Sequence, residues 1–213
     1  KEKQRTTSTQ IKTHDTPKWL HQNMPSEPMP PRPLVPSRPS GNEMPAMSPL
    51  KGDDNYRFRR GNLTHMLLQT LPDITQENWQ ASAENYLNKT AGDLSKKIKD
   101  SIIDETLSIL NDYEFAPIFG KDSMAEVPIT GLLDDQTLIS GQIDRLLVTD
   151  TEILIIDFKT NRPPPHLEKD VPQIYKKQMR AYADALCQIY PDREIKTALL
   201  WTDGPRLMPL TDL

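Results

Sequence analysis

Two aspartates and a lysine in the second half of the sequence have the residue types and spacing of a hydrolytic metal site. Asp157 and Lys159 stand two residues apart in the apolar segment Ile155-Ile156-Asp157-Phe158-Lys159-Thr160, and Asp144 lies thirteen residues before Asp157 in another apolar segment. Side chains alternate across a β-strand, so Asp157 and Lys159 project from the same face. The pattern therefore predicts a carboxylate and an ammonium side by side near a strand end.

A hairpin that turns near Asp150-Thr151 places Asp144 close to opposite Asp157. Facing carboxylates repel, and a divalent cation offsets the repulsion, since Mg²⁺ is usually held by one or two carboxylates plus water and phosphate oxygens. Lys159 would orient or help deprotonate the attacking water and screen charge on a phosphorane-like transition state. The alternative is a set of ordinary ion pairs that also involves Arg145.

The elements that must position these residues follow from hydrophobic periodicity. A leucine stripe predicts a helix from Gly61 that breaks at Pro72-Asp73, and further helices, strands and turns follow along the chain. The order of helices, three meandering strands, a helix and a strand predicts an α/β core with a mixed sheet. The predicted segments after the first helix are helices at 76–87 and 93–113, strands at 125–129, 138–147 and 153–159, a Pro-rich loop at 161–172, a helix at 173–190 and a strand at 195–201.

Two residues of the helix predicted at 173–190 can reach this site. Gln178 and Tyr182 are four apart and share a helix face, so Gln178 is able to hydrogen-bond the lysine, a water or a phosphate. The alternative is a tyrosine packed against the sheet with a glutamine at its rim. Cys187, near Leu186 on the same helix, is predicted to be a small core residue.

Composition limits the class of protein. The chain has 213 residues, a net charge of -4 and a mean hydropathy of -0.64, so it lacks the basic excess of a nucleic-acid coat protein. The single cysteine excludes an intramolecular disulfide and a site of four thiolates from this chain. We find no apolar run of membrane-spanning length and no secretory signal, and we expect a soluble protein in a reducing, intracellular setting.

The first quarter of the chain differs from the rest. Residues 1–52 hold ten of the twenty prolines, which predicts an irregular linker or strap ahead of a folded domain at 53–213. The P-x-x-P spacing in Pro31-Arg32-Pro33-Leu34-Val35-Pro36 also fits a ligand of SH3-type domains, and that adaptor role is the alternative.

Four ordered motifs give the sequence a family resemblance. They are Gly61-Asn62-Leu63-Thr64-His65, Gly141-Gln142-Ile143-Asp144-Arg145, Ile156-Asp157-Phe158-Lys159 and Gln178-Met179-Arg180-Ala181-Tyr182. Together they resemble the RecB-type nuclease module of the PD-(D/E)XK superfamily, with its restriction-endonuclease-like fold of a mixed sheet flanked by helices, here with an N-terminal helical insert. With the preceding Pro-rich segment, residues 30–213 resemble the C-terminal nuclease region of the AddA helicase-nucleases of alphaproteobacterial type.

The resemblance implies roles for individual residues. Asp144 and Asp157 become metal ligands, with His65 as a further ligand and the backbone carbonyl of Phe158 completing the protein's contribution. Lys159 becomes the active-site lysine. The spacing of His65 alone, beside the leucine stripe, is also that of a structural histidine.

Four further residues are expected to act at the site without being metal ligands. Gln178 and Tyr182 match the family's Q-x-x-x-Y pair. The family often has an acidic residue at Glu126, where support of the ligands or a strand-edge role fits better than direct ligation. Arg145 faces away from Asp144 on its strand and is interpreted as an ion-pair partner or a DNA-backbone contact.

The implied activity is Mg²⁺-dependent hydrolysis of single-stranded DNA in double-strand-break repair, with Mn²⁺ or Ca²⁺ as substitute ions and exonuclease rather than strict endonuclease action. The implied partners are DNA, an upstream ATP-dependent helicase motor in the parent chain and an AddB-type subunit. No membrane is involved, and the implied location is the bacterial cytoplasm at the nucleoid. The competing hypothesis is a catalytically silent module of the same fold that docks DNA or a partner subunit.

Overall fold

The computed structural model describes residues 54–133 and 137–213, with side chains from residue 57 onward. The predicted Pro-rich strap at 1–52 and part of the turn predicted at 131–135 lie outside the described residues. The helices are α1 (Asp54–Thr70), α2 (Trp79–Thr90), α3 (Lys96–Leu110) and α4 (Gln173–Ile189). Short 3-10 turns occupy Leu71–Asp73, Gln76–Asn78, Ala116–Phe119 and Glu168–Asp170.

Five strands form one mixed sheet in the order β1-β2-β3-β4-β5. Their bounds are β1 (Ser123–Leu132), β2 (Leu138–Val148), β3 (Glu152–Lys159), β4 (Glu194–Trp201) and β5 (Arg206–Leu210). Among the described strands, β3 and β4 alone pair in parallel, and α4 makes the crossover between them. The predicted α/β architecture with a mixed sheet is confirmed, and β5 adds a fifth strand that hydrophobic periodicity did not predict.

The sheet is covered on both faces by separate apolar layers. On one face Ile156 and Phe158 of β3 pack in a cluster with leucines and isoleucines of α1, α2 and α3. On the other face Ile153 and Ile155 pack against α4. This alternation places Asp157 on the α4 side of the sheet. Among the described residues, none of the helices combines the length and apolar character needed to cross a bilayer.

The pairing of β1 with β2 is interrupted beside Asp144. Pairs on both sides of the break keep one register, Ala125 with Arg145 and Val127 with Ile143. Between them Glu126 adopts a φ of 51°, in the left-handed region that a residue with a Cβ rarely occupies. Such strained backbone persists only where its surroundings over-determine it, and it clusters at functional sites.

One prediction about α4 is wrong. Cys187 is exposed, not a core residue, because the buried face of this helix runs through Met179, Tyr182 and Leu186. Position 187 is turned by about 100° from that face, which places its thiol toward solvent.

Candidate active site and metal centre

Asp157, Lys159 and Gln178 form a closed polar triangle between β3 and α4. The Lys159 ammonium pairs with Asp157 Oδ2 and donates to Gln178 Oε1 at 3.1 Å. Gln178 Nε2 in turn donates to Asp157 Oδ1 at 2.8 Å. The side chains of Asp157 and Lys159 are only 4% and 13% exposed. The predicted same-face pair therefore lies under α4, where Gln178 fixes both charges.

Asp144 meets the same strand end from β2. The ladder between β2 and β3 ends at the pair Arg145 and Ile156, so the hairpin register predicted from sequence is the one observed. At the next position no backbone pair forms between the two strands. Instead, the side chain of Asp144 accepts the backbone N–H of Phe158 through its Oδ2, at 2.7 Å. Both aspartates therefore lie next to Phe158: Asp144 accepts a hydrogen bond from its backbone N–H, and Asp157 precedes it in the sequence.

His65 reaches this site from α1, across the opposite face of the sheet. Its Nδ1 lies 3.5 Å from Asp144 Oδ2, and its ring packs edge-on against Phe158 with centroids 5.6 Å apart. The helix comes this close because Gly61, one turn earlier, lies against Thr160: a Cβ at Gly61 would stand 2.9 Å from Thr160 Oγ1. The glycine of the G-x-x-x-H motif therefore sets the approach of the helix that carries His65.

The four ionisable groups act on one another. Burial raises the pKa of Asp157, and the negative charge of Asp144 raises it further against the opposing effect of Lys159. Burial also works against the ionised form of Asp144, but His65, Lys159 and the Phe158 N–H outweigh it and lower its pKa. These directions describe two carboxylates close enough to compete for the surrounding positive charge.

The carboxylates raise the pKa values of Lys159 and His65. Burial opposes the charge on Lys159, yet Asp157 outweighs it and raises the pKa of the ammonium. In the same way burial opposes protonation of His65, while the charge and hydrogen bond of Asp144 raise its pKa. At neutral pH Lys159 is therefore a hydrogen-bond donor rather than a base.

Tyr182 holds the strand that carries Asp144. The tyrosine is fully buried, and its hydroxyl donates to the Gln142 carbonyl at 2.9 Å, two residues before Asp144. Burial raises its pKa, so the hydroxyl stays a neutral donor. The Gln178 and Tyr182 pair thus bridges α4 to both strands, Gln178 to β3 and Tyr182 to β2.

Glu126 and Arg145 flank Asp144 in different ways. Glu126 lies at the strained position opposite Asp144, and burial together with the negative charge of Asp144 raises its pKa. Arg145 is buried on the other face, over the Phe119 ring. It makes no hydrogen bond or ion pair with any described residue, so the ion-pair interpretation of Arg145 does not hold for that part of the chain.

The chemistry of this donor set fits a hard divalent cation. The buried carboxylate of Asp157, the carboxylate of Asp144 with 13% of its side chain exposed, and the imidazole of His65 share one neighbourhood. Asp157 Oδ2 is enclosed with no hydrogen bond of regular geometry despite its ion-pair contact. Within the described residues, however, no three His, Cys, Asp or Glu side chains are already arranged as a metal cluster. His65, Asp144 and Asp157 are brought together, but their roles as ligands stay a prediction.

Sequence reasoning missed two supports of this site. The Tyr175 ring lies under the Lys159 ammonium at 4.2 Å, and its hydroxyl donates to Asn161. Its signal was present, since Tyr175 precedes Gln178 by nearly one helical turn. The second support is the buried Glu105, which pairs with Arg60 of α1 and Arg162 after β3. No short-range pattern links these three residues.

Comparison with known proteins agrees with the geometry. A family model described as the PD-(D/E)XK nuclease superfamily matches residues 45–207. An ATP-dependent helicase/nuclease subunit of Streptococcus equi subsp. zooepidemicus (strain MGCS10565) is 28% identical over 185 residues, which cover 80% of this chain and 14% of that protein. The protein of the same name from Streptococcus pyogenes serotype M2 (strain MGAS10270) is 28% identical over 137 residues, 61% of this chain and 11% of the relative.

The chain thus spans only a small part of the length of these curated relatives. The solved structure of SSO0001 aligns with a TM-score of 0.33 and 15% identity over 70% of this chain and 65% of its own, a likeness too weak to support an argument. The family match covers well over half of the sequence and includes every residue of the polar site. The chain belongs to the PD-(D/E)XK nuclease superfamily.

Proposed function

We propose that the chain is the metal-dependent DNA nuclease domain of an AddA-type helicase-nuclease that hydrolyses single-stranded DNA during double-strand-break repair. The observation that supports it best is the buried set of Asp144, Asp157 and Lys159 around the end of β3, with Gln178 bound to both charges of the strand. Two competing carboxylates at an apolar strand end are costly to stability, whereas together they can hold the divalent cation that assists phosphodiester hydrolysis.

Each residue has a distinct duty in this reaction. Asp144, Asp157, His65 and the Phe158 carbonyl would hold a divalent cation, Mg²⁺ by preference with Mn²⁺ or Ca²⁺ as substitutes, which supplies charge neutralisation at the phosphate and a more acidic water. Lys159 stays protonated, so it orients the attacking water and donates to a phosphate oxygen as negative charge develops there. Water attacks the phosphorus and forms a new P–O bond while the bond to the leaving sugar oxygen breaks. The attacking water gives up one proton to solvent, and the leaving oxygen takes up one proton from solvent, so the step balances.

The remaining residues keep this arrangement in register. Gln178 prevents Lys159 and Asp157 from collapsing into an isolated pair, because it donates to one and accepts from the other. Tyr182 holds β2 at Gln142 and so fixes the position of Asp144. Glu126 acts on the ligands through its charge rather than by ligation.

The helicase/nuclease relatives support the coarser part of the wider assignment, a nuclease domain related to helicase-nucleases, and its finer parts are proposed from the sequence motifs. We assign the alphaproteobacterial AddA type, a helicase motor in the same parent chain, a partner of the AddB type and exonucleolytic action on strands that the motor unwinds. The site of action is the cytoplasm, at the nucleoid. A motor that delivers the strand also accounts for a chain with a net charge of -4.

Cleavage of labelled single-stranded and duplex DNA tests the nuclease assignment. We expect Mg²⁺-dependent cleavage that EDTA abolishes and that Lys159→Met lowers about 10²-fold or more, since it removes a preorganised donor. Lys196→Met is the matched control, because Lys196 pairs with Glu152 near the start of β3, far along the sheet from Lys159. Cleavage that ignores the chelator would overturn the mechanism, and DNA binding without any cleavage would favour the silent docking module.

A further inference from the structure

Arg145 is a buried cation that forms no ion pair with any of the described residues. The residue is 3% exposed, its Nε is enclosed with no hydrogen-bond partner, and its guanidinium lies 5.0 Å from the centroid of the Phe119 ring. Of the three guanidinium nitrogens of Arg145, Nε alone is both enclosed and without a hydrogen bond. The two terminal nitrogens therefore keep some contact with solvent. Most of the Arg145 guanidinium is therefore removed from water without a protein hydrogen bond.

Two other arginines in comparable settings are satisfied by protein groups. Arg60, which is similarly buried, pairs with Glu105. Arg193 also lies over an aromatic ring, that of Tyr190, but donates to the Thr149 carbonyl at 2.8 Å. Asp73 acts on Arg145 only through its charge and does not form an ion pair with it. A buried guanidinium left in this condition is costly unless an anion completes it.

The position of Arg145 links it to the polar site. It follows Asp144 directly in β2 and projects from the face covered by α1, α2 and α3. The Phe119 ring beneath it lies 6.2 Å from the Phe158 ring, which in turn packs against His65. A row of stacked side chains thus connects the guanidinium to the imidazole beside Asp144.

We propose that Arg145 binds a phosphodiester group of the DNA strand, at a subsite separate from the phosphate that is cleaved. The inference rests on the proposed function, since it supplies that function with a strand contact on the insert side of the sheet. A guanidinium presents a planar fork that matches two phosphate oxygens, and the ring below it fixes the plane of the fork. A phosphate there would supply the direct ion-pair partner that no described residue provides.

Equilibrium binding of a fluorescent oligothymidylate of about twenty nucleotides, in EDTA, tests the inference apart from cleavage. For Arg145→Met we expect Kd to rise roughly tenfold and the slope of log K against log salt to shrink by about 0.7, the value for one lost contact to a single-stranded phosphate. The Tm should stay unchanged or rise, because an apolar side chain replaces an unpaired buried charge. Arg193→Met, at the far end of the sheet, should change neither Kd nor the salt slope.

The outcomes separate this inference from the nuclease proposal. A parent chain that binds the oligonucleotide but never cleaves DNA fails as a nuclease and still tests Arg145. Unchanged affinity and salt slope in Arg145→Met would overturn the inference, and so would a lowered Tm with unchanged affinity, which makes Arg145 a structural cation over Phe119. If the Met variant does not fold, Arg145→Lys decides: we expect the salt slope to persist while Kd rises severalfold, and a Kd equal to the parent's would overturn the inference.

Discussion

Gly61→Ala tests whether the approach of α1 to β3 positions His65. The new Cβ would stand 2.9 Å from Thr160 Oγ1, while ordinary contact begins at 3.4 Å, so helix and strand end must separate by about half an ångström or Thr160 must turn. Overpacking of this kind costs about 1–3 kcal/mol. Alanine in a helix interior returns about 1 kcal/mol relative to glycine. We therefore expect a net loss of up to about 2 kcal/mol in the free energy of unfolding.

A double-mutant cycle with Thr160→Ala isolates this contact. The Thr160 Cβ would lie 4.0 Å from the new methyl group, so removal of Oγ1 removes the clash. In that background Gly61→Ala should stabilise the protein by about 1 kcal/mol, which reverses the sign of its effect and gives a coupling energy of about 1–3 kcal/mol. Urea unfolding of the four proteins measures the cycle.

The same four proteins report on the site. A shift of about half an ångström at His65 exceeds the tolerance of a preorganised ligand set, so Gly61→Ala should lower Mg²⁺-dependent DNA cleavage at least tenfold, and Thr160→Ala should restore it. Gly92→Ala is the matched control, because a Cβ there meets only the Asn88 carbonyl at 3.4 Å. A cycle without coupling, or a Gly61→Ala variant as active as the parent, would refute the role of this contact.

Three further predictions concern the supports of the site and of the fold. Tyr182→Phe leaves the buried Gln142 carbonyl unpaired, so we expect a loss of about 1 kcal/mol in urea unfolding and slower DNA cleavage at unchanged helix content; parent-like values in both would contradict it. Glu105→Gln leaves two guanidiniums facing a neutral amide and should cost about 3 kcal/mol by the same measurement, whereas a loss near zero would show that the cluster is solvated. The backbone N–H of Asp212 donates to Glu168 and is the main cause that lowers the pKa of this carboxyl. The ionised Glu168 therefore stabilises the fold above the pKa of the unfolded state, about 4.3, and this stabilisation is lost as pH falls through the pKa of the folded state. The Tm gap between parent and Glu168→Gln should accordingly be full at pH 7 and close as pH falls below about 4, and a gap independent of pH would contradict the linkage.

The chemistry at β3 was predictable because it depends on short-range rules. Alternation placed Asp157 and Lys159 on one face, and the hairpin spacing gave the register that ends at Arg145 and Ile156. Helical periodicity gave the shared face of Gln178 and Tyr182. Each of these inferences uses residues close together in the sequence or in one hairpin.

The features that sequence reasoning missed depend on contacts between distant segments or on backbone that breaks a local rule. Nothing in the sequence around Glu126 indicates a φ of 51°, since no glycine marks the break. Strand β5 is five residues long and contains Pro209, which is tolerated because β5 is an edge strand. Gly61 and Thr160 are ninety-nine residues apart, so the physical reason for the glycine appears only when α1 lies against the strand end.

The end of β3 serves three purposes because successive groups of one short segment point in different directions. The Phe158 ring faces α1 and packs against His65, its N–H faces β2 and holds Asp144, and the side chains on either side of it face α4 and hold Gln178. A one-residue slip of this strand would exchange the apolar and polar faces and separate both aspartates from their partners. The buried aromatic residue between Asp157 and Lys159 is therefore what keeps the two carboxylates together, and its burial under α1 contributes to the site as directly as the charges do.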